Sequence, residues 1–210
     1  MPLLRAPVQV LRHPTVRGGS DAVTGRTRQR MVSSAAVLLR RHGVRGTSFA
    51  RVLEDSGAPR GSVAHHFPGG KEEMVLAAVS SAGAEITARL RALAEDGATA
   101  GDVVAALCDY FAAGLEQTGY RAGCPVAAVA QEAFDTEPLR DAAAAVLDDW
   151  LSTMTQVLAR EGREDSDAQD LAATCVAAVE GAIMMSRVQR DRAPLDAVAR
   201  RLRILVTPDP

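Results

Sequence analysis

Apolar residues recur at three- and four-residue spacing along most of the chain, and no credible pair of strands can be drawn from it. Such spacing lines one face of a helix, so the pattern admits an all-α fold and little else. Met31, Ala35, Leu38 and Leu39 set the first helix between Thr27 and His42, and Gly43 supplies its stop. Thr47 is expected to cap a short second helix whose buried face is Phe49, Val52 and Leu53, and Gly57 suits its left-handed end. Ala58-Pro59 turns the chain into a third helix over Arg60 to His66, with Val63 as its apolar anchor. Two short helices joined by about three residues including a glycine have helix-turn-helix spacing.

Pro68-Gly69-Gly70 closes that unit, and a long helix is expected from Lys71 to Gly97, with Glu72 and Glu73 in the first turn where the helix dipole favours acids. Further helices are expected over Val103 to Gly119, Cys124 to Phe134, Leu139 to Arg160, Leu171 to Gln189 and Leu195 to Val206, nine in all. Thr99 with Asp102, and Ser166 with Gln169, have the spacing of capping boxes; Pro138 and Pro194 sit where first-turn prolines belong. Residues 1–25, with several prolines and glycines and no periodicity, read as a mobile basic arm, 26–70 as a helix-turn-helix domain, and 71–210 as a helical body.

Composition enters through charge. The net charge is -2, yet the residues through Val75 hold twelve Lys/Arg against five Asp/Glu, a net +7, leaving -9 on the remainder. A basic first third suggests a polyanionic partner. Aromatics are 3% of residues, which suits close-packed helices. No apolar run approaches the roughly 18 residues of a membrane span and the N-terminus lacks a secretory cleavage pattern, so a cytoplasmic protein is expected. Cys108, Cys124 and Cys175 lie far apart in apolar sequence and read as small buried hydrophobes. The four histidines, His13, His42, His65 and His66, all fall in the first third, and the body lacks a nucleophile motif, phosphate loop or zinc motif. An enzyme is not expected, nor any cofactor. A metal site at His65 and His66 is not expected either, because adjacent helix positions diverge by about 100°.

The order of helix one, TSFARVLEDSGAPRGSVAHHF and PGGKEEM closely resembles the TetR/AcrR family of transcriptional regulators. PRGSVAHHFPGGKEEM together with AGCPVAAVAQEA, at Ala122 to Ala133, is similar to its LmrA-type branch. The resemblance covers about residues 27–76 and, beyond them, one segment and the helix order. It implies a homodimer whose N-terminal modules bind double-stranded operator DNA and whose body binds a small hydrophobic or amphipathic effector that lowers DNA affinity. Two positions depart from the family pattern: Ala64 stands where an aromatic is usual, and Leu53 where a small residue often packs.

In a helix-turn-helix the start of the second helix enters the major groove, which nominates Pro59, Arg60, Gly61 and Ser62 for base contact. Arg60 suits guanine O6 and N7, and Gly61 lets the backbone come close. His65 and His66 are candidate phosphate donors. The resemblance assigns phosphate contacts to Thr47, Ser48 and Lys71 as well, where helix N-termini present free N–H groups, and Thr47 is compatible with capping alone. Arg17, Arg26 and Arg28 of the arm are candidates for the minor groove. Around a cavity, the resemblance places Tyr110, Phe111, Cys124, Val129, Phe134, Trp150, Met154 and Met184, with Met185 beside them; plain core is the competing reading of each. The nearly all-round apolar Leu171 to Met185 needs burial on two sides, and with the last helix it is expected to form a dimer interface. A helical ligand-binding protein with weak DNA reading is the alternative, and Ala64 is its support.

Overall fold

The computed structural model describes residues 20–208, and side chains from residue 24 onward. The arm through residue 19, with Arg17, lies outside the described residues. Nine helices and no strand occur among them: α1 Ser20–Gly46, α2 Phe49–Ser56, α3 Ser62–His66, α4 Gly70–Glu95, α5 Ala100–Gln117, α6 Pro125–Glu132, α7 Glu137–Arg160, α8 Asp165–Gln189 and α9 Ala193–Val206. The chain divides into two compact units, with α4 and α7 contributing to both.

One unit gathers α1 to α3, α4 through Gly83, and residues 125–143. α1 starts seven residues earlier than periodicity implies, because Ser20 to Arg26 contain no breaker stronger than Gly25, so Arg26 and Arg28 sit on a helix. Met31, Val32, Ala35 and Leu39 are buried along one face of α1, with Val52, Phe67, Met74 and Val79 in the same core. Phe67 is the plug of the three-helix module, 6.3 Å from the Phe49 ring and 5.3 Å below the Arg28 guanidinium.

The other unit gathers α4 from Ala84, α5, α7 from Ala144, α8 and α9. Leu115, Leu158 and Leu195 are fully buried there. Polar links tie α5 to α9 at both ends: Asp102 pairs with Arg203, and Arg192 donates to Asp109 at 3.1 Å and Glu116 at 3.5 Å. The Thr99–Asp102 capping box is formed, with the Asp102 N–H donating to Thr99 Oγ1 at 3.1 Å. The Ser166–Gln169 box is not. α8 starts at Asp165 behind Glu164, without a side-chain cap, since Asp165 and Asp167 already satisfy the first-turn preference for acids. By length and composition α8 is apolar enough to cross a membrane, an 18-residue window of it reaching a mean hydropathy of 1.5. One face of it is core: Leu171, Ala172, Cys175, Val179 and Ile183 are buried.

Candidate nucleic-acid interface

The α2–turn–α3 element is built from local hydrogen bonds. Gly43, at φ 67° and ψ -173°, breaks the helical path of α1 in a conformation that favours glycine. Thr47 then turns inward, its hydroxyl donating to the Gly43 carbonyl at 2.8 Å, and it is completely buried. It therefore does not cap α2. Ser48 does, accepting from the Arg51 N–H at 3.4 Å from an extended backbone. Gly57 ends α2 in the left-handed conformation at φ 63°, its N–H donating to the Leu53 carbonyl at 3.0 Å. The Ser34 hydroxyl donates to the Val52 carbonyl at 3.4 Å, tying α2 to α1.

α3 begins at Ser62, so Pro59, Arg60 and Gly61 belong to the turn that presents it, and all three are exposed. Among the described residues Arg60 has no hydrogen-bond or ion-pair partner, which leaves its five donors available. Ser62 is half-buried, and Ala64 and His65 are exposed. His66 is buried, and burial, then the neighbouring His65 and Arg28, hold its pKa below the usual histidine value. Lys71, half-buried, reaches the Arg45 carbonyl at 3.5 Å. The structure thus brings Ser48, Pro59, Arg60, Gly61, Ser62 and His65 to the surface of one small module and withdraws Thr47 and His66 into it.

The candidate ligand residues divide. Trp150 and Met154 of α7 line an apolar cavity of about 20 Å³ together with Val103 and Val104 of α5 and Cys175 and Val179 of α8. Phe111 and Cys124 are buried in the same unit, and Tyr110 is half-buried with the Arg89 guanidinium 5.0 Å from its ring. Val129 is buried in the other unit. Phe134, 63% exposed, and Met184, 61% exposed, face away from any core. Sequence reasoning missed Leu90, Val103, Val104, Cys175, Val176 and Val179, which line the cavity, because aliphatic residues at helical spacing carry no mark that separates cavity wall from core. It also missed Glu180, a carboxyl in the middle of α8 whose pKa is raised by burial and partly restored by a hydrogen bond with Cys124. Burial raises the Cys108 thiol to about 12 and Cys175 to about 11, which leaves both protonated and unreactive near neutral pH. No cluster of three metal-ligating residues occurs among the described residues.

Residues 32–78 match the family model described as bacterial regulatory proteins, tetR family, and residues 100–201 match the LmrA/YxaF-like transcriptional regulator C-terminal domain. An HTH-type transcriptional regulator of Mycobacterium tuberculosis is 42% identical over 185 residues, which cover 85% of this chain and 93% of the relative. The HTH-type transcriptional regulator LmrA of Bacillus subtilis is 29% identical over 172 residues, covering 81% of this chain and 92% of the relative. A TetR transcriptional regulator structure from Chloroflexus aurantiacus is similar at a TM-score of 0.73 and 28% identity, with 88% of this chain and 96% of that chain covered. A second, from Agrobacterium tumefaciens, has a TM-score of 0.76 at 24% identity, with 88% and 100% covered, and bears on the fold alone.

Proposed function

This chain belongs to the TetR family of helix-turn-helix transcriptional regulators, and from that premise we propose that it is a repressor released from a palindromic operator by a small apolar molecule. The observation that carries the reading is the exposed turn at Pro59, Arg60 and Gly61, which just before α3 presents a cation without a partner among the described residues. Arg60 in the major groove would donate two bonds to one guanine, while Ser48, His65 and Lys71 at the module's edges would take phosphates. Such a reader of chromosomal DNA works in the cytoplasm.

A single module reads a half-site, so a dimer is needed to read an inverted repeat. Met184, Met185 and Val188 of α8 and Ile204 and Leu205 of α9 are between 47% and 79% exposed, an apolar face that suits a second copy of the chain. The effector would enter between α5, α7 and α8, where the cavity of about 20 Å³ has room for little more than one water. An effector of ordinary size must therefore part those helices. That requirement gives it a preference for one of two conformations, which is what coupling to DNA affinity demands.

The test is selection of bound duplexes from a random pool, followed by a screen of apolar compounds for release of the selected duplex. Recovery of an inverted repeat that some compound releases supports the reading. If a duplex is recovered and compounds bind the body without changing its affinity, the regulator is not ligand-responsive at this cavity. Failure to enrich any duplex removes the DNA-reading role.

A further inference from the structure

The peptide that leads from α1 into the DNA-reading element is held from α6, within the same unit. A Cβ built on Gly43 would lie 1.7 Å from Glu132 Oε1 and 2.7 Å from Glu132 Cδ, so the carboxyl group sits in the space that a side chain would take. The other oxygen, Glu132 Oε2, accepts from the Arg45 backbone N–H at 2.9 Å. On its far side Arg45 is held again, its carbonyl accepting from Lys71 Nζ at 3.5 Å. The Thr47 hydroxyl on the Gly43 carbonyl and the Arg51 guanidinium on the Gly46 carbonyl, at 2.8 Å and 2.9 Å, complete a hook over residues 43–48 that delivers the chain to the Ser48 cap of α2.

We propose that Glu132 is a positioning residue for DNA binding: its carboxylate fixes this hook from α6 and so sets the angle at which α2 and α3 meet the groove. The proposal rests on the reading of α2–α3 as the DNA reader. The hook needs an acceptor at the end of this side chain for two reasons. The Arg45 N–H lies past the break at Gly43 and takes its bond from the side chain, and a left-handed glycine followed by a short connection has few other restraints. Glu132 is exposed, so the contact is reversible in water, which suits a connection that must shift between two states.

A merely electrostatic role makes the opposite forecast. Glu132 is an acid beside a basic module, and its removal on that account would tighten binding to every duplex. Glu132→Gln keeps an oxygen that can accept from Arg45 and discards the charge, whereas Glu132→Ala discards both. The experiment measures, for the full chain, the affinity for a duplex selected by the wild type and for a scrambled duplex of the same length. Their ratio cancels charge effects common to both. The expected result is a fall of roughly three- to tenfold in that ratio for Glu132→Ala, the loss of one hydrogen bond, and retention of the ratio for Glu132→Gln. An unchanged ratio in Glu132→Ala, or equal loss in both variants, overturns the proposal.

Two further readouts do not depend on the ratio. Hydrogen exchange at the Arg45 amide should quicken in Glu132→Ala and not in Glu132→Gln; equal protection in all three proteins overturns the contact itself. Gly43→Ala should expel the carboxyl group, so the double variant Gly43→Ala/Glu132→Ala should lose no more specificity than Gly43→Ala alone. Losses that add would show that the two residues do not share the hook. If the wild type enriches no duplex, the DNA-reading role falls and this proposal with it. A specific wild type with an unaltered Glu132→Ala overturns the role of Glu132 alone.

Discussion

Trp150 is the only tryptophan in the chain, 2% exposed on α7, with the apolar cavity on one side. Its indole Nε1 is buried with no hydrogen-bond partner among the described residues, an arrangement that costs stability. Two substitutions separate the hydrophobic from the polar contribution. Trp150→Ala removes the whole ring beside an existing void, and large-to-small changes of this kind cost about 3–5 kcal/mol. Trp150→Phe keeps a buried ring, loses the outer atoms of the indole, and removes an unsatisfied donor whose burial costs about 1–3 kcal/mol. The two terms of the second change have opposite sign and similar size, so Trp150→Phe should lie within about 1 kcal/mol of wild type. Urea unfolding followed by far-ultraviolet circular dichroism reads both, because the fluorescent probe is itself removed; the midpoint should fall steeply for Ala and hardly for Phe at an unchanged slope. A Phe variant nearly as unstable as the Ala variant would refute the reasoning, since it would mean that the indole N–H makes a bond that stabilises the fold.

Other expectations follow from single contacts. Lys71→Ala should reduce the salt dependence of log affinity by about one unit of slope for selected and scrambled duplexes alike, read by fluorescence anisotropy across a salt series. His66 has its folded pKa below the ordinary value of 6.5, with burial the largest cause, so the unfolded chain binds the proton more readily. Its contribution is therefore complete above about pH 6.5 and is lost as pH falls through the folded pKa; thermal melts of His66→Gln between pH 7.5 and pH 5, about the range in which histidine titrates, should decline less than those of wild type. Ile204→Glu together with Met184→Lys should convert a dimer to a monomer by sedimentation and lower operator affinity, while leaving the helical content unchanged.

Much of the fold was legible in the sequence because its punctuation is local. Gly57, the Thr99–Asp102 box, Pro138 and Pro194 act within a few residues of themselves, and each stands at a helix end. Where two residues competed for one role, the sequence was ambiguous: Thr47 and Ser48 are both good caps, and Ser48 takes the position because Thr47 is drawn inward by the Gly43 carbonyl. The Glu164 start of α8 was hidden for a related reason, since Ser166 three residues before Gln169 forms an equally plausible box. The sequence placed Arg60 and Gly61 on the third helix, whereas α3 begins at Ser62 and both stand in the turn before it. The wall of the cavity and the hook held by Glu132 were not legible, because both join segments far apart in the chain, the latter 87 residues apart.

Reading of DNA in the major groove by the turn at Arg60 is tested by selecting duplexes from one random pool with wild type and with Arg60→Ala in parallel. Wild type should yield an inverted repeat and Arg60→Ala the same repeat with preference lost at one G·C pair in each half-site, at a cost of about 1–3 kcal/mol on the original sequence. Identical sequence preferences from the two proteins would contradict it.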